Sequence, residues 1–326
     1  MLFATNRMPL ESYQSEANRS ISFDPQNTTV SQNMYFCERH DEGKYTEIMQ
    51  QEFFKRLKAL PEKTQILFYI HGFNNQAESD IFPRAKKLQE LFDQESGQEN
   101  IIKVVPLIWP CDDDTPVQFL DDYWDDQRAA DRSGEAFTRM FAMFDSWRNS
   151  DDNIKNPCMK RINVLSHSMG NRVLRNALSN WAKKSANNSM PLIFRNVFMV
   201  AADVVNHTLE EGQDGRFICD AARNVVVYYA NDDFSMPASK IANLRRMTVS
   251  RRLGMTGPED LSKVPKNVYE VDCDNFNNSF DKPKGHSYFL ENKAGVVSPV
   301  LKHMVNAVKT CRISPAERST VLNKPK

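Results

Sequence analysis

The residues best placed to do chemistry in this 326-residue chain are Ser168 and the titratable groups downstream of it. Ser166-His167-Ser168-Met169-Gly170 follows a short apolar run, Ile162, Val164 and Leu165. It precedes a stretch where Val173, Leu174, Ala177, Leu178 and Trp181 recur at helical spacing. That pattern predicts a strand, a tight turn and a helix. A serine on such a turn sits on strained backbone, with its hydroxyl raised above the sheet edge beside the N-terminal N–H groups of the next helix. A hydroxyl attacks a carbonyl only when a base takes its proton, and the base needs an acid to hold its tautomer.

In open α/β sheets such partners collect at the carboxyl ends of strands. His286, in Gly285-His286-Ser287-Tyr288-Phe289, follows the last candidate strand by a loop and suits the base. Three aspartates qualify as the acid: Asp203, Asp232 and Asp233, each just after an apolar run. The oxyanion that acyl transfer creates needs donors. The backbone N–H of Met169 supplies one, and that of Phe73, on the tight His71-Gly72 bend, supplies the other. Preorganised donors of this kind contribute about 3–4 kcal/mol each at a transition state. His71 reads as a brace for that bend and His167 as a packing residue on another side of the turn. His40, His207 and His303 have no constellation around them.

The elements needed to position these groups are visible as a strand–helix alternation. Residues 1–7 and 34–39 read as short strands, and 46–59 as helix. Gln65 to Ile70 is a continuous apolar run, as in a strand buried on both faces. A helix over 77–93, a strand over 101–109 and a helix over 128–147 follow. After the Ser168 unit come strands at 197–202, 224–230 and 267–271. Alternation over this length implies an α/β fold with a mainly parallel sheet and helices on both faces. We expect one domain over 1–313, with a small lid somewhere within 204–222 or 234–262, and a loose polar tail over 314–326.

Bulk properties exclude several classes. Lys+Arg and Asp+Glu stand at 42 each, which favours neither nucleic acid nor an anionic membrane as the main partner. No apolar run approaches the ~20 residues that span a bilayer, and the N-terminus lacks a signal-peptide pattern, so a cytoplasmic location is expected. The six cysteines are scattered, which suits reduced structural thiols better than a disulfide framework or zinc site. The aspartate-rich run from Asp112 to Asp126 reads as a solvated loop, since its spacing fits no calcium loop.

Taken in order, His71-Gly72-Phe73, then Ser166 to Gly170, then Asp233, then Gly285-His286 resemble the α/β-hydrolase superfamily. More narrowly they resemble a bacterial group of hydrolase-like domains of unknown function described as esterase/lipase-like. Phe3-Ala4-Thr5-Asn6-Arg7, Trp109-Pro110, Tyr123 to Arg132, Ala201-Ala202-Asp203 and Leu253-Gly254 extend the resemblance over roughly residues 1–310. It implies an α/β-hydrolase fold and a serine hydrolase that cleaves a carboxylic ester, thioester or related acyl bond through an acyl-enzyme. Ser168 would be nucleophile, His286 base and Asp233 acid, because the superfamily usually takes its acid after the penultimate strand. Asp203 is the alternative, since some members take it there. No metal or organic cofactor is implied, and the partner is a small-molecule acyl substrate. The usual elbow is Gly-x-Ser-x-Gly, whereas here Ser166 holds the first position, a change that adds one hydroxymethyl group. A hydrolase-like scaffold that binds a ligand or protein with little turnover is the competing reading.

Overall fold

A computed structural model describes residues 1–112, 119–233 and 251–325. The strands are β1 (Leu2–Arg7), β2 (Ser20–Ile21), β3 (Val30–Asp41), β4 (Lys44–Glu47), β5 (Gln65–Ile70), β6 (Ile102–Ile108), β7 (Ile162–His167), β8 (Phe194–Val200), β9 (Ala222–Tyr229), β10 (Val268–Asp272) and β11 (Ser319–Val321). They form one sheet in the order β11-β10-β9-β8-β7-β5-β6-β1-β3-β4-β2. From β11 to β1 every neighbouring pair is parallel; β3, β4 and β2 add an antiparallel edge.

The apolar runs behave as doubly buried strands should. Along β5 and β7 every residue is buried, and alternate side chains feed opposite cores. Ile66, Phe68, Ile70 and Val164 join one core; Leu67, Tyr69 and Leu165 join the other. The first core is covered by α1 (Met49–Lys58), α3 (Phe119–Arg148), α5 (Gly170–Lys184) and α6 (Arg216–Ala221), and the second by α2 (Phe82–Ser96) and α7 (Pro299–Thr310). α4 is a single turn, Asp151–Lys155. Each large side chain fully buried this way contributes about 1.5–3 kcal/mol.

A row of buried amides inside these strands is paired side chain to side chain. Asn224 Nδ2 donates to Asn196 Oδ1 (2.8 Å), Asn196 Nδ2 to Asn163 Oδ1 (2.7 Å), and Asn163 Nδ2 to Gln65 Oε1 (3.1 Å). This ladder crosses β9, β8 and β7 in register and reaches β5 on the diagonal, so a buried polar row is satisfied rather than penalised.

After β5 the chain adds β6 on one side, and after β7 it adds β8 to β10 on the other. The crevice where the order reverses lies above the carboxyl ends of β5 and β7, the place where open α/β sheets collect ligands. Both His71 and Ser168 follow those ends.

Several expectations need correction. The acidic run is not a solvated loop throughout: from Phe119 it belongs to α3, where Tyr123 and Asp126 are buried. Asp113 and Asp114 lie outside the described residues. The expected loose tail over 314–326 contains β11, which pairs in parallel with β10, while Arg318 donates to Val264 O, Pro265 O and Val268 O. Both helix starts at 77 and 128 differ too, since a π-helical turn covers Ala77–Ile81 before α2 and α3 begins nine residues earlier. Residues 204–222 end in α6, which packs on α5, and 234–250 lie outside the described residues. The thiols are unpaired, with Cys37, Cys111, Cys219 and Cys273 buried.

Candidate active site

The turn after β7 has the geometry its residues predict. Ser168 has φ 53°, a left-handed conformation that costs a non-glycine residue on the order of 1–3 kcal/mol and persists only where surroundings dictate it. Here they do. Ser168 N donates to Val200 O (2.9 Å), and Ser168 O accepts from Asn171 N (3.1 Å) and Asp203 N (3.2 Å). Asn171 Nδ2 bridges Ser166 O (3.0 Å) and Ser168 O (3.1 Å). Met169 caps α5, so its N–H is one of the orphan donors at a positive helix end.

Close approach falls at Gly170. A Cβ on Gly170 would meet His71 O at 2.5 Å and Ile70 O at 2.8 Å, both backbone atoms. Ser166 is fully buried and its Oγ has no hydrogen-bond partner, so the departure from glycine costs an unsatisfied hydroxyl without blocking the turn.

The loop after β5 lies against the serine: a Cβ on Gly72 would come within 3.0 Å of Ser168 Cβ. Its shape is held from several sides. His71 Nδ1–H donates to Gly72 O (2.7 Å), and Nε2 accepts from Trp109 N (3.1 Å). Trp109 Nε1–H donates to His71 O (2.9 Å), and the two rings stack. Burial drives the His71 pKa down to about 3, so the ring is a neutral brace. Asn75 Nδ2 donates to Gly72 O (3.2 Å) and Phe73 O (2.5 Å), while Arg84 holds Asn75 Oδ1 (2.7 Å).

On the other flank stands His286. Asp281 Oδ2 accepts from the backbone N–H of His286 (2.9 Å) and Ser287 (2.7 Å), which fixes the loop that carries the imidazole. His286 Nδ1–H donates to Asp233 Oδ2 at 2.6 Å, and Asp233 is 1% exposed. This is a charge-assisted bond in a dry setting. His167 donates from Nε2 to His286 O (3.3 Å), with ring centroids 4.8 Å apart, and packs on Phe289. Its pKa is pushed well down by burial and then by His286, so it stays neutral beside the other ring.

The three aspartates separate cleanly. Asp233 meets His286. Asp232 is taken by the amides of Asn277 (2.6 Å) and Asn278. Asp203 accepts from Tyr123 Oη–H (2.5 Å) and pairs with Arg252 (3.2 Å), all three nearly inaccessible to solvent. Among the remaining histidines, His303 bonds Tyr228 Oη (2.7 Å), His40 bonds Thr46 Oγ1 (3.0 Å), and His207 faces Glu259 at 4.0 Å.

Reasoning from the sequence missed Asp126, Asn75, Arg84, Arg252 and the contact of His167 with His286. Asp126 Oδ2 accepts from Asn74 N (3.1 Å), so α3 grips the loop after β5. The spacing of Tyr123, Asp126, Ala130 and Ser133 marks one buried helical face, a signal present in the acidic run. Burial raises the Asp126 pKa well above its ordinary value. The neutral acid is therefore the favoured form, and its contribution is complete below the unfolded carboxyl range and is lost as pH rises through the native pKa. Asp126→Asn should thus gain stability relative to wild type as pH climbs upward from the unfolded carboxyl range near about 4. Urea melts over that climb would show it, and a difference that is flat or runs the other way would remove Asp126 from the account.

Residues 46–303 match the family described as "Alpha/beta hydrolase of unknown function (DUF900)". The chain belongs to this family. Its large, mainly parallel sheet with helices on both faces is the α/β-hydrolase architecture. A search of curated protein sequences finds no significant match. Among solved structures, the phospholipase PlaB from Legionella pneumophila, in complex with thio-NAD, is 15% identical with TM-score 0.25 over 74% of this chain. The match spans 44% of the phospholipase, less than half its length. A lipase-esterase related protein from Clostridium acetobutylicum gives 11%, TM-score 0.24, and 82% and 88% of the two chains. A highly thermostable carboxyl esterase from Bacillus coagulans, in complex with glycerol, gives 11%, TM-score 0.28, and 95% and 91%. At such TM-scores none of these adds to the argument from the family. Among the described residues of this α/β hydrolase, no helix is long and apolar enough to cross a membrane, and no group of three or more His, Cys, Asp or Glu could hold a metal.

Proposed function

We propose that this chain is a serine hydrolase that cleaves a carboxylic ester, thioester or related acyl bond of a small molecule. Ser168 attacks the carbonyl while His286 takes its proton. Asp233 holds the imidazole in the Nδ1–H tautomer, leaving Nε2 to work on the hydroxyl, and stabilises the imidazolium that forms. The N–H groups of Phe73 and Met169 receive the oxyanion. His286 then returns the proton to the leaving group, and water repeats the sequence on the acyl-enzyme. The chemistry is complete with these groups and calls on no metal or organic cofactor.

The observation that carries the reading is the 2.6 Å bond from His286 to buried Asp233, at the same sheet edge as a serine in left-handed backbone. A non-catalytic scaffold has no physical need for either. Labelling with a fluorophosphonate probe tests it. Wild type should be modified at Ser168, and Ser168→Ala should not react; labelling that survives the substitution would refute the assignment.

A further inference from the structure

Apart from the Ser168 edge, the molecule has a cleft of ≈ 590 Å³ between the carboxyl ends of β1 and β6, the β3–β4 hairpin and the π-helical turn at Ala77–Ile81. That volume is in the range of small-molecule sites, and π-helical turns recur where proteins bind ligands. Phe3 packs edge to face with Tyr45 and Phe82, which lie tilted against each other, with centroids 5.1–5.9 Å apart, and the three give it an aromatic wall.

Its polar end is unusual in what it leaves unpaired. Arg7 is 3% exposed, and its guanidinium donates only to carbonyls: Asp24 O (3.2 Å), Pro25 O (3.1 Å) and Cys111 O. No carboxylate pairs with it among the described residues, and its Nε has no partner. Glu78, also in the cleft, is already committed to Arg39 (2.6 Å), Tyr45 Oη (2.5 Å) and Gly43 N (3.0 Å). Gln76 lines the same space, and both Nε2 and Oε1 of its carboxamide are shielded from water with no partner. Buried polar atoms are almost always satisfied, and a buried cation without a counter-charge is costlier still. A rotation of the Gln76 side chain would turn its amide into the cleft.

We propose that this cleft binds an organic monocarboxylate with a single-ring apolar body. The carboxylate takes donors from Arg7 and Gln76, and the ring lies on the aromatic wall. An anion supplies a paired charge that Arg7 finds in no ion pair among the described residues, which a neutral ligand cannot do. The proposal does not depend on the role of Ser168. It also places the site next to the loop after β5: Gln76 follows Asn75, and Cys111, whose carbonyl Arg7 holds, donates from Sγ to Asn75 O (3.2 Å).

Calorimetric titration of the full chain with phenylacetate and with its neutral isostere phenylacetamide tests this. Phenylacetate should bind with a Kd below ~1 mM, and phenylacetamide at least about tenfold more weakly. Gln76→Leu should weaken phenylacetate by about tenfold or more, and Ser168→Ala should leave its affinity unchanged. Arg7→Met should abolish binding where it folds, and Gln76→Leu with the amide comparison decides the matter where it does not. No saturable binding up to ~10 mM, equal affinity for acid and amide, indifference to Gln76→Leu, or loss of binding in Ser168→Ala would each overturn the proposal.

Discussion

Ser168→Ala is expected to lower kcat for a short-chain nitrophenyl ester by about 10⁶-fold, His286→Ala by a similar factor, and Asp233→Asn by about 10⁴-fold. The first two remove the nucleophile or the group that activates it, and residues acting as one unit fail together. The third leaves volume and shape in place. An asparagine at 233 can still bond His286, but its amide donates where the carboxylate accepted. The ring then turns to the opposite tautomer, with Nε2 protonated and unable to take the serine proton. Asp233 is 1% exposed and meets His286 at 2.6 Å, so no water can substitute for it cheaply. Thermal melts should move little in Ser168→Ala and Asp233→Asn, because these substitutions delete chemistry rather than packing. Wild-type turnover in Asp233→Asn would end the assignment of that residue as the acid. Turnover unchanged in Ser168→Ala would end the whole reading.

The fold and the placement of the candidate residues are legible in the sequence where a local pattern and a topological rule coincide. Gln65 to Ile70 and Ile162 to Leu165 announce buried strands through unbroken apolar character. The residues that follow buried parallel strands are brought to one sheet edge whatever the loops do. Ser168, His71 and Asp233 are legible for that reason, and His286 is legible from the loop position that the family pattern implies.

What stayed hidden depends on long-range packing. Asp126 looks like one more aspartate in a polar run, and only the fold shows that α3 carries it to Asn74. Arg84 and Asn75 are ordinary surface types in sequence, yet they join to hold the carbonyls of the loop after β5. β11 escapes any periodicity argument because three residues, half exposed, carry no pattern; their strand character comes from the free edge of β10. His167 is a packing residue, as its sequence position suggests, but only the fold shows that its ring packs on His286. The close approach of the elbow to the neighbouring loop backbone at Gly170 is likewise a product of packing that no local pattern carries.

Asp203, the strand-end aspartate that our proposal does not use as the acid, supports the second large effect. Its carboxylate lies 3.2 Å from Arg252 and accepts from Tyr123 at 2.5 Å, with both charged side chains at most 4% exposed. Removing one member of a buried pair leaves the other charge uncompensated, typically a loss of 3–5 kcal/mol. Arg252→Met should therefore lower Tm by on the order of 10 °C, and Asp203→Asn by a comparable amount, since each strands its partner. The double variant should be less destabilised than the sum of the two, because no buried charge is left alone. The cycle also separates the two roles proposed for aspartates in this site. An acid of the triad would show a large loss of kcat with an almost unchanged melt, as argued for Asp233. Asp203 should show the reverse balance, a large shift in Tm with activity falling only as the elbow it supports through Ser168 O loosens. Additive melting losses, or a kcat collapse in a well-folded Asp203→Asn protein, would mean that the acid had been assigned to the wrong strand.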